Sequence, residues 1–309
     1  MSKSITVYSP ASIGNIGPGF DVLGLAVTGL GDKVIAREIS DDKIIIEDIR
    51  NADHDISKNP AKNTMGIAAD SVRKKLSTKT GVALTLIKGL PSGSGLGSSA
   101  ASAAAGAFAV NALFDGGLSP EDLIHNAMEG EAFVSGGYFA DNVAPSLLGG
   151  ATLTQSLNPL IITALGSIHA LHIILVTPKI QILTKDSRAV LPESIPMKAF
   201  IRNLANTASI TAAFTNNDYT LLKDNLQDDA IEPHRSKLIP GFYNAKEAAI
   251  NAGANGLCIS GAGPTVFAIT NKEEQRDKIA SAIVGAFHQE DIEAVATLSR
   301  VDKQGTRQI

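Results

Sequence analysis

The stretch PSGSGLGSSAA, running from Pro91 to Ala101, sets glycines at 93, 95 and 97 ahead of two serines and an alanine-rich run. Glycine costs chain entropy on folding, so it is retained where the backbone must turn left-handed or approach something closely. The preceding VALTLI, with Val82, Leu84 and Leu86 on one face, reads as a strand. The alanines behind it read as a helix over Ser98–Phe114. A strand that passes through a glycine loop into a helix presents free N–H groups at the helix N-terminus, where the macrodipole favours an anion. Main-chain amides can wrap an oxygen-rich ligand there, and the serine hydroxyls add donors or a metal ligand. A tight turn with a serine N-cap is the plainer alternative, but alternate glycines exceed what a cap needs.

Two common phosphate loops are ruled out residue by residue. GxxxxGK[ST] needs a lysine where the chain has Ser98, and GxGxxG needs a third glycine at that same position. Asp115 has nearly the spacing of a ribose-binding acid, but it stands with Gly116 and Gly117 at a helix end.

With 309 residues and 44% apolar content, the chain can bury one large core or two ordinary ones. A net charge of -4, 5% aromatics and no tryptophan argue against a nucleic-acid or anionic-membrane partner. The lone Cys258 excludes an internal disulfide and reads as a buried thiol in a reducing compartment. MSKSITVYSP reads as a strand rather than a signal peptide, and ALHIILV is strand-sized rather than membrane-spanning. These features predict a cytoplasmic protein.

Strands alternate with helices predicted over Met65–Leu76, Ser119–Val134, Lys198–Phe214, Gly241–Asn251 and Glu273–Phe287. This is an α+β pattern. Periodicity fades over residues 158–167, which predicts domains at 1–157 and 158–309.

On the helix that starts at Ser119-Pro120-Glu121-Asp122, Ile124, Ala127, Met128 and Glu131 share one face. Glu131 therefore points inward, and a buried carboxylate needs a cation, a donor or a proton. A lysine or arginine partner remains an alternative to a metal. Asp141-Asn142 lies in a glycine- and proline-flanked loop, and ordinary turn chemistry accounts for it equally well. Asn15 and Asp21, in SIGNIGPGFD, fit an Asx turn or a polar rim. Thr184 reads as the N-cap of a short helix bearing Arg188. Arg188 and Arg235 would ordinarily be solvated charges. GAGP, with Gly261 and Gly263, joins two strands as a hairpin loop. The histidines form no ligand spacing or triad.

PxxxGLGSSAA, PASIGNIGPGFDVLG (Pro10–Gly24) and CISGAGPTVFA (Cys258–Ala268) together resemble the three signatures of the galactokinase, homoserine kinase, mevalonate kinase and phosphomevalonate kinase (GHMP) superfamily. The resemblance covers essentially the whole chain. DNVAPSLLGG, EPHRSKLIPGF and the N-terminal stretch are most similar to its homoserine kinase branch.

The resemblance implies a two-domain GHMP kinase fold, with a ribosomal protein S5 domain 2-like N-terminal domain and a ferredoxin-like C-terminal domain. It implies ATP phosphates cradled by Pro91, Ser92, Gly93, Ser94, Gly95, Leu96, Gly97, Ser98, Ser99, Ala100 and Ala101, with Asn63 near adenine. Lys88 would lend positive charge near the nucleotide or remain a solvated strand-end lysine. Ser99 and Glu131 would hold Mg²⁺, and Asp141, Asn142 and Thr184 would serve the transferring phosphoryl group. Asn15, Asp21, Arg188, Arg235, Gly261 and Gly263 would enclose L-homoserine. A homodimer is compatible with this picture. The pattern departs at Phe139, where many kinases of that branch carry histidine. Another acceptor (mevalonate, shikimate or a sugar) and a non-catalytic nucleotide sensor are the alternatives.

Overall fold

Apolar alternation in the first half builds one face-covered sheet. The computed structural model describes residues 3–309 apart from the side chain of Thr184. The elements run β1 (Ser4–Gly14), β2 (Leu23–Ile39), β3 (Ile44–Arg50), α1 (Thr64–Lys75), β4 (Gly81–Ile87), α2 (Ser98–Leu113), α3 (Pro120–Ser135), α4 (Val143–Leu148), β5 (Ala151–Leu157) and β6 (Leu160–Gly166). Then follow β7 (His172–Pro178), α5 (Thr184–Ala189), α6 (Met197–Thr215), α7 (Tyr219–Lys223), α8 (Glu232–Arg235) and α9 (Phe242–Ala252). The chain ends with β8 (Leu257–Ile259), β9 (Val266–Thr270), α10 (Arg276–His288), β10 (Ala294–Ser299) and β11 (Arg307–Gln308).

The first sheet has strand order β11-β1-β2-β4-β3, with β5 pairing the start of β2 and β6 pairing β5. Its pairs are antiparallel except β3 with β4. Helices α1 to α4 pack on it through a core that includes Val7, Val34, Leu84 and Met128. Alanines and Gly106 leave α2 buried on nearly every side, as a helix without a polar face must be. The second sheet, order β10-β7-β9-β8, is antiparallel and lies against α9 and α10. Numbered within this unit, its strands read 4-1-3-2, the ferredoxin-like βαββαβ arrangement.

The division expected between residues 157 and 158 falls in the turn of the β5–β6 hairpin, so the first sheet continues to Gly166. The C-terminus also returns to it, with β11 on β1 and Val301 bridged to Val27. A third core joins both sheets, setting Ile13, Leu23 and Leu96 with Leu175, Phe214 and Phe267. Among the described residues, no helix is long and apolar enough to cross a membrane.

One close backbone approach in the first sheet fixes the loop after α3. A Cβ on Gly24 would stand 1.8 Å from the Asp141 carbonyl oxygen. Gly24→Ala is expected to destabilise the chain by about 3 kcal/mol. Gly285→Ala, in α10 with nothing within 4 Å of the new methyl, is expected to stabilise it by up to about 1 kcal/mol. Urea unfolding midpoints of the two variants check the contrast.

Candidate active site

Gly93, Gly95 and Gly97 take φ of 63°, 80° and 65°, the left-handed region that penalises any side chain. Gly97 is the N-cap residue of α2, and no side chain caps the first turn. The serine-cap alternative therefore does not hold. The Ser98 hydroxyl instead donates to the Leu90 carbonyl (3.2 Å) and accepts from Lys88 (2.7 Å). A Cβ on Gly97 would lie 2.2 Å from Ser12 Oγ, and one on Gly95 would lie 2.5 Å from the Ser260 carbonyl. The loop is thus pressed between the N-terminal and C-terminal glycine motifs. Ser260 Oγ donates to the Gly95 carbonyl at 2.7 Å, and the Thr265 amide donates to Ser94 O at 3.1 Å.

Lys88 is not a solvated strand-end lysine. Its ammonium is buried and donates to Asp32 Oδ2, to the Ser98 and Ser102 hydroxyls and to the Ser98 carbonyl. Asp32, at 0% exposure, also accepts from the Gly89 amide (3.0 Å) and Ser102 Oγ (2.6 Å). The pair ties β2 and the end of β4 to the first turn of α2.

Two carboxyl groups face the same cavity without ion-pair partners that satisfy them. Glu131 sits on the inward face of α3, and its Oε2 is buried with no hydrogen-bond partner among the described residues. Burial pushes its carboxyl up to about 7; the Ser99 hydroxyl opposes that shift, Asp141 adds to it and Lys88 draws it back. Among the described residues Glu131 has no lysine or arginine at ion-pair distance, against the charge-partner alternative. Asp141 is also raised to about 7, by burial first and then by Asp21, against the pull of Arg188. It lies over Gly14, where a Cβ would come within 2.6 Å of its Oδ2. Asn142 donates weakly to Asp141 Oδ2 (3.4 Å), and its Oδ1 accepts from Ser12 Oγ at 2.9 Å.

At the other end, Asn15 and Asp21 hold positive φ of 73° and 60°. Asn15 Oδ1 accepts from the Asp21 amide (3.0 Å), six residues on rather than the two of an Asx turn, and its Nδ2 donates to the Gly261 carbonyl (3.1 Å). Arg188 and Asp21, expected as separate contacts for a ligand, form a bidentate pair with each other at 2.9–3.1 Å. Arg235 is buried, donates to Gly261 O (2.8 Å) and is lowered to about 10, chiefly by burial. Phe139 lies under the Arg188 guanidinium at 3.9 Å.

These groups line one cavity of about 490 Å³. It receives Asn15, Asp21, Asn63, Ser92 to Gly95, Gly97 to Ser99, Glu131, Asp141, Asn142, Arg188, Arg235, Gly261 and Gly263, as well as Lys88. Pro91, Leu96, Ala100 and Ala101 do not line it; Leu96, Ala100 and Ala101 are packed into the core. Asn63 lines it while capping α1 through Oδ1 to the Gly66 amide. Leu183, not Thr184, is the N-cap residue of α5; the Thr184 side chain is outside the described part. Ser12, Asp32, Lys62 and Lys185 were not anticipated, although Ser12 lies within the quoted Pro10–Gly24 motif. The last two lysines line the cavity and give it positive charge. Among the described residues no group of three or more His, Cys, Asp and Glu is placed to hold a metal.

Residues 63–150 match the model of the GHMP kinases N terminal domain, and residues 210–289 match the GHMP kinases C terminal model. A homoserine kinase of Arabidopsis thaliana is 42% identical over 98% of the chain and 84% of its own length. The chain belongs to the homoserine kinase family. A homoserine kinase of Chlorobium phaeobacteroides is 37% identical over 99% of this family member and 100% of its own length. The crystal structure of homoserine kinase from Cytophaga hutchinsonii superposes with a TM-score of 0.95 at 38% identity, covering 100% and 98% of the two chains. An L. major mevalonate kinase, 17% identical with a TM-score of 0.70 over 96% and 95%, shares the fold.

Raised carboxyl values make the folded chain hold protons more tightly than the unfolded chain, so Glu131 weakens stability as pH rises from 4.5 towards 7. Without nucleotide or divalent cation, Glu131→Gln is expected to gain stability relative to wild type by about 3 kcal/mol across that window. Paired urea titrations at several pH values read the difference. Lys88→Met leaves Asp32 buried without its cation and is expected to cost about 3–5 kcal/mol, part of which Asp32→Asn restores in the double variant.

Proposed function

We propose that the chain transfers the γ-phosphoryl group of ATP to the hydroxyl of L-homoserine, giving O-phospho-L-homoserine and ADP on the way to threonine. One observation carries this reading: a single cavity is lined both by the uncapped start of α2 and by Asp21, Arg188 and Arg235, with Asp141 on its wall. The first is chemistry for a polyphosphate, and the second is chemistry for a zwitterion.

The left-handed glycines turn main-chain amides towards the phosphates. Ser99 and Glu131 suit Mg²⁺, because an unpartnered buried carboxylate oxygen beside a hydroxyl is a hard-oxygen site open to further ligands. When bound, the ion offsets phosphate charge and relieves the buried carboxylate. Asn142, held by Ser12, orients the acceptor hydroxyl. Asp141, near 7, takes its proton as the oxygen bonds to the γ-phosphorus and the bond to the ADP oxygen breaks. Alignment and charge neutralisation supply most of the acceleration.

The acceptor exchanges partners within the Arg188–Asp21 pair. Its ammonium takes Asp21, helped by Asn15, and its carboxylate takes Arg188 and Arg235. Mevalonate, shikimate and sugars carry no ammonium, so Asp21 would lose its partner without gaining another. The buried Cys258 thiol, raised by burial, fits a reducing cytoplasm.

ADP release in the presence of L-homoserine, mevalonate, shikimate and galactose tests the assignment. Homoserine is expected to be the productive acceptor, and only with Mg²⁺. Faster turnover of another alcohol would contradict the acceptor, and ATP binding without any phosphorylation would favour the sensor. Arg235→Ala is expected to raise KM for homoserine by at least roughly tenfold while KM for ATP stays within about twofold.

A further inference from the structure

Two aromatic rings and two guanidinium groups alternate along the acceptor end. The Arg188 guanidinium carbon stands 3.9 Å from the centre of the Phe139 ring and 5.7 Å from that of Phe20. Arg235 stands 4.8 Å from the same Phe20 ring. The series is therefore Phe139, Arg188, Phe20, Arg235, with each contact inside the roughly 6 Å reach of a cation over a π face.

Four different elements contribute these side chains. Phe20 lies between β1 and β2, and Phe139 lies between α3 and α4; Arg188 is on α5 and Arg235 on α8. Both arginines arise from very short helices, of six and four residues. Such helices do little to orient a long side chain, and the two like charges repel each other. The rings answer both problems. Each face is electron-rich and rigid, and Phe20 offers one to both guanidiniums.

A ring supports an arginine in a way that a carboxylate cannot. Carboxylates occupy the in-plane N–H donors, whereas a ring lies against the flat of the guanidinium and leaves its edge available. The edges here do retain capacity: Nε of Arg188 and Nε of Arg235 are both buried with no hydrogen-bond partner among the described residues. Among the described residues, the Arg235 edge donates only to the Gly261 carbonyl and the Arg188 edge only to Asp21.

We propose that Phe20 and Phe139 are positioning residues: they fix Arg188 and Arg235 as a spaced pair whose N–H edges are reserved for the carboxylate of the acceptor. The proposal rests on the homoserine kinase reading and adds to it the pair of rings that sets selectivity for an α-carboxylate. Both rings lie against the two arginines, so they act through acceptor binding rather than on the chemical step.

The test compares Phe139→Leu and Phe20→Leu, which keep apolar bulk and lose the π face, with Phe139→Tyr and Phe20→Tyr, which keep it. Steady-state kinetics with varied homoserine and varied ATP are the readout. The leucine variants are expected to raise KM for homoserine by roughly tenfold, with kcat and KM for ATP within about twofold, while the tyrosine variants stay near wild type. Leucine variants with wild-type KM would overturn the proposal. So would equal losses in both KM values and kcat, which would mark the rings as plain packing. Where a leucine variant does not fold, pentafluorophenylalanine at position 139 keeps the shape and reverses the charge of the face. The same rise in KM is then expected, and an unchanged KM overturns the proposal. A wild-type chain that turns over another alcohol but not homoserine contradicts the functional reading, a result separate from any of these.

Discussion

Everything at this site is built around the first turn of α2, and the Lys88–Asp32 pair holds that turn in place. A buried ion pair adds little net stability by itself, yet removing either partner strands the other charge. Here the lysine joins the hydroxyls and carbonyl of the first helical turn to an acid on β2. Because alanines bury α2 on nearly every side, the helix cannot shift without disturbing the sheet and the helices around it. The result is a rigid helix N-terminus whose amides no side chain caps. Rigid donors of this kind bind developing phosphate charge without a reorganisation cost.

Opposite this positive end lie two acids that the fold keeps close to neutrality. Glu131 and Asp141 both sit near 7, each mainly because burial removes water from it. In the unliganded chain they are a liability above neutral pH, and that is characteristic of groups retained for binding or proton transfer. Asp141 sets its carboxyl against Gly14 and its main-chain carbonyl against Gly24, and neither glycine has room for a side chain. Stability is thus sacrificed locally where chemistry needs desolvated oxygen, while the three cores retain the fold.

Much of this was legible in the residues themselves. Alternate glycines ahead of an alanine helix announced the left-handed loop at the start of α2, and the i, i+3, i+4, i+7 face of α3 announced an inward Glu131. Strand β6 was not legible, because as an edge strand exposed along much of its length it has no clean alternation to read. For the same reason the division expected between residues 157 and 158 falls inside the β5–β6 hairpin. Pairings across long separations were also invisible: Asp32 meets Lys88 across 56 residues, and Asp21 meets Arg188 across 167. Nothing local to any of these residues names its partner until topology brings the two together. Phe139 looked like a departure from pattern and proves to be the surface on which Arg188 rests.

The most direct measurement is a crystal structure of the chain with a nonhydrolysable ATP analogue, Mg²⁺ and L-homoserine. The β- and γ-phosphates are expected against the amides of residues 93–99, with the cation between Ser99 and Glu131. The amino acid is expected to bridge Asp21 and the two arginines. A nucleotide lodged in another cleft, or a cation held away from Glu131, would contradict these placements.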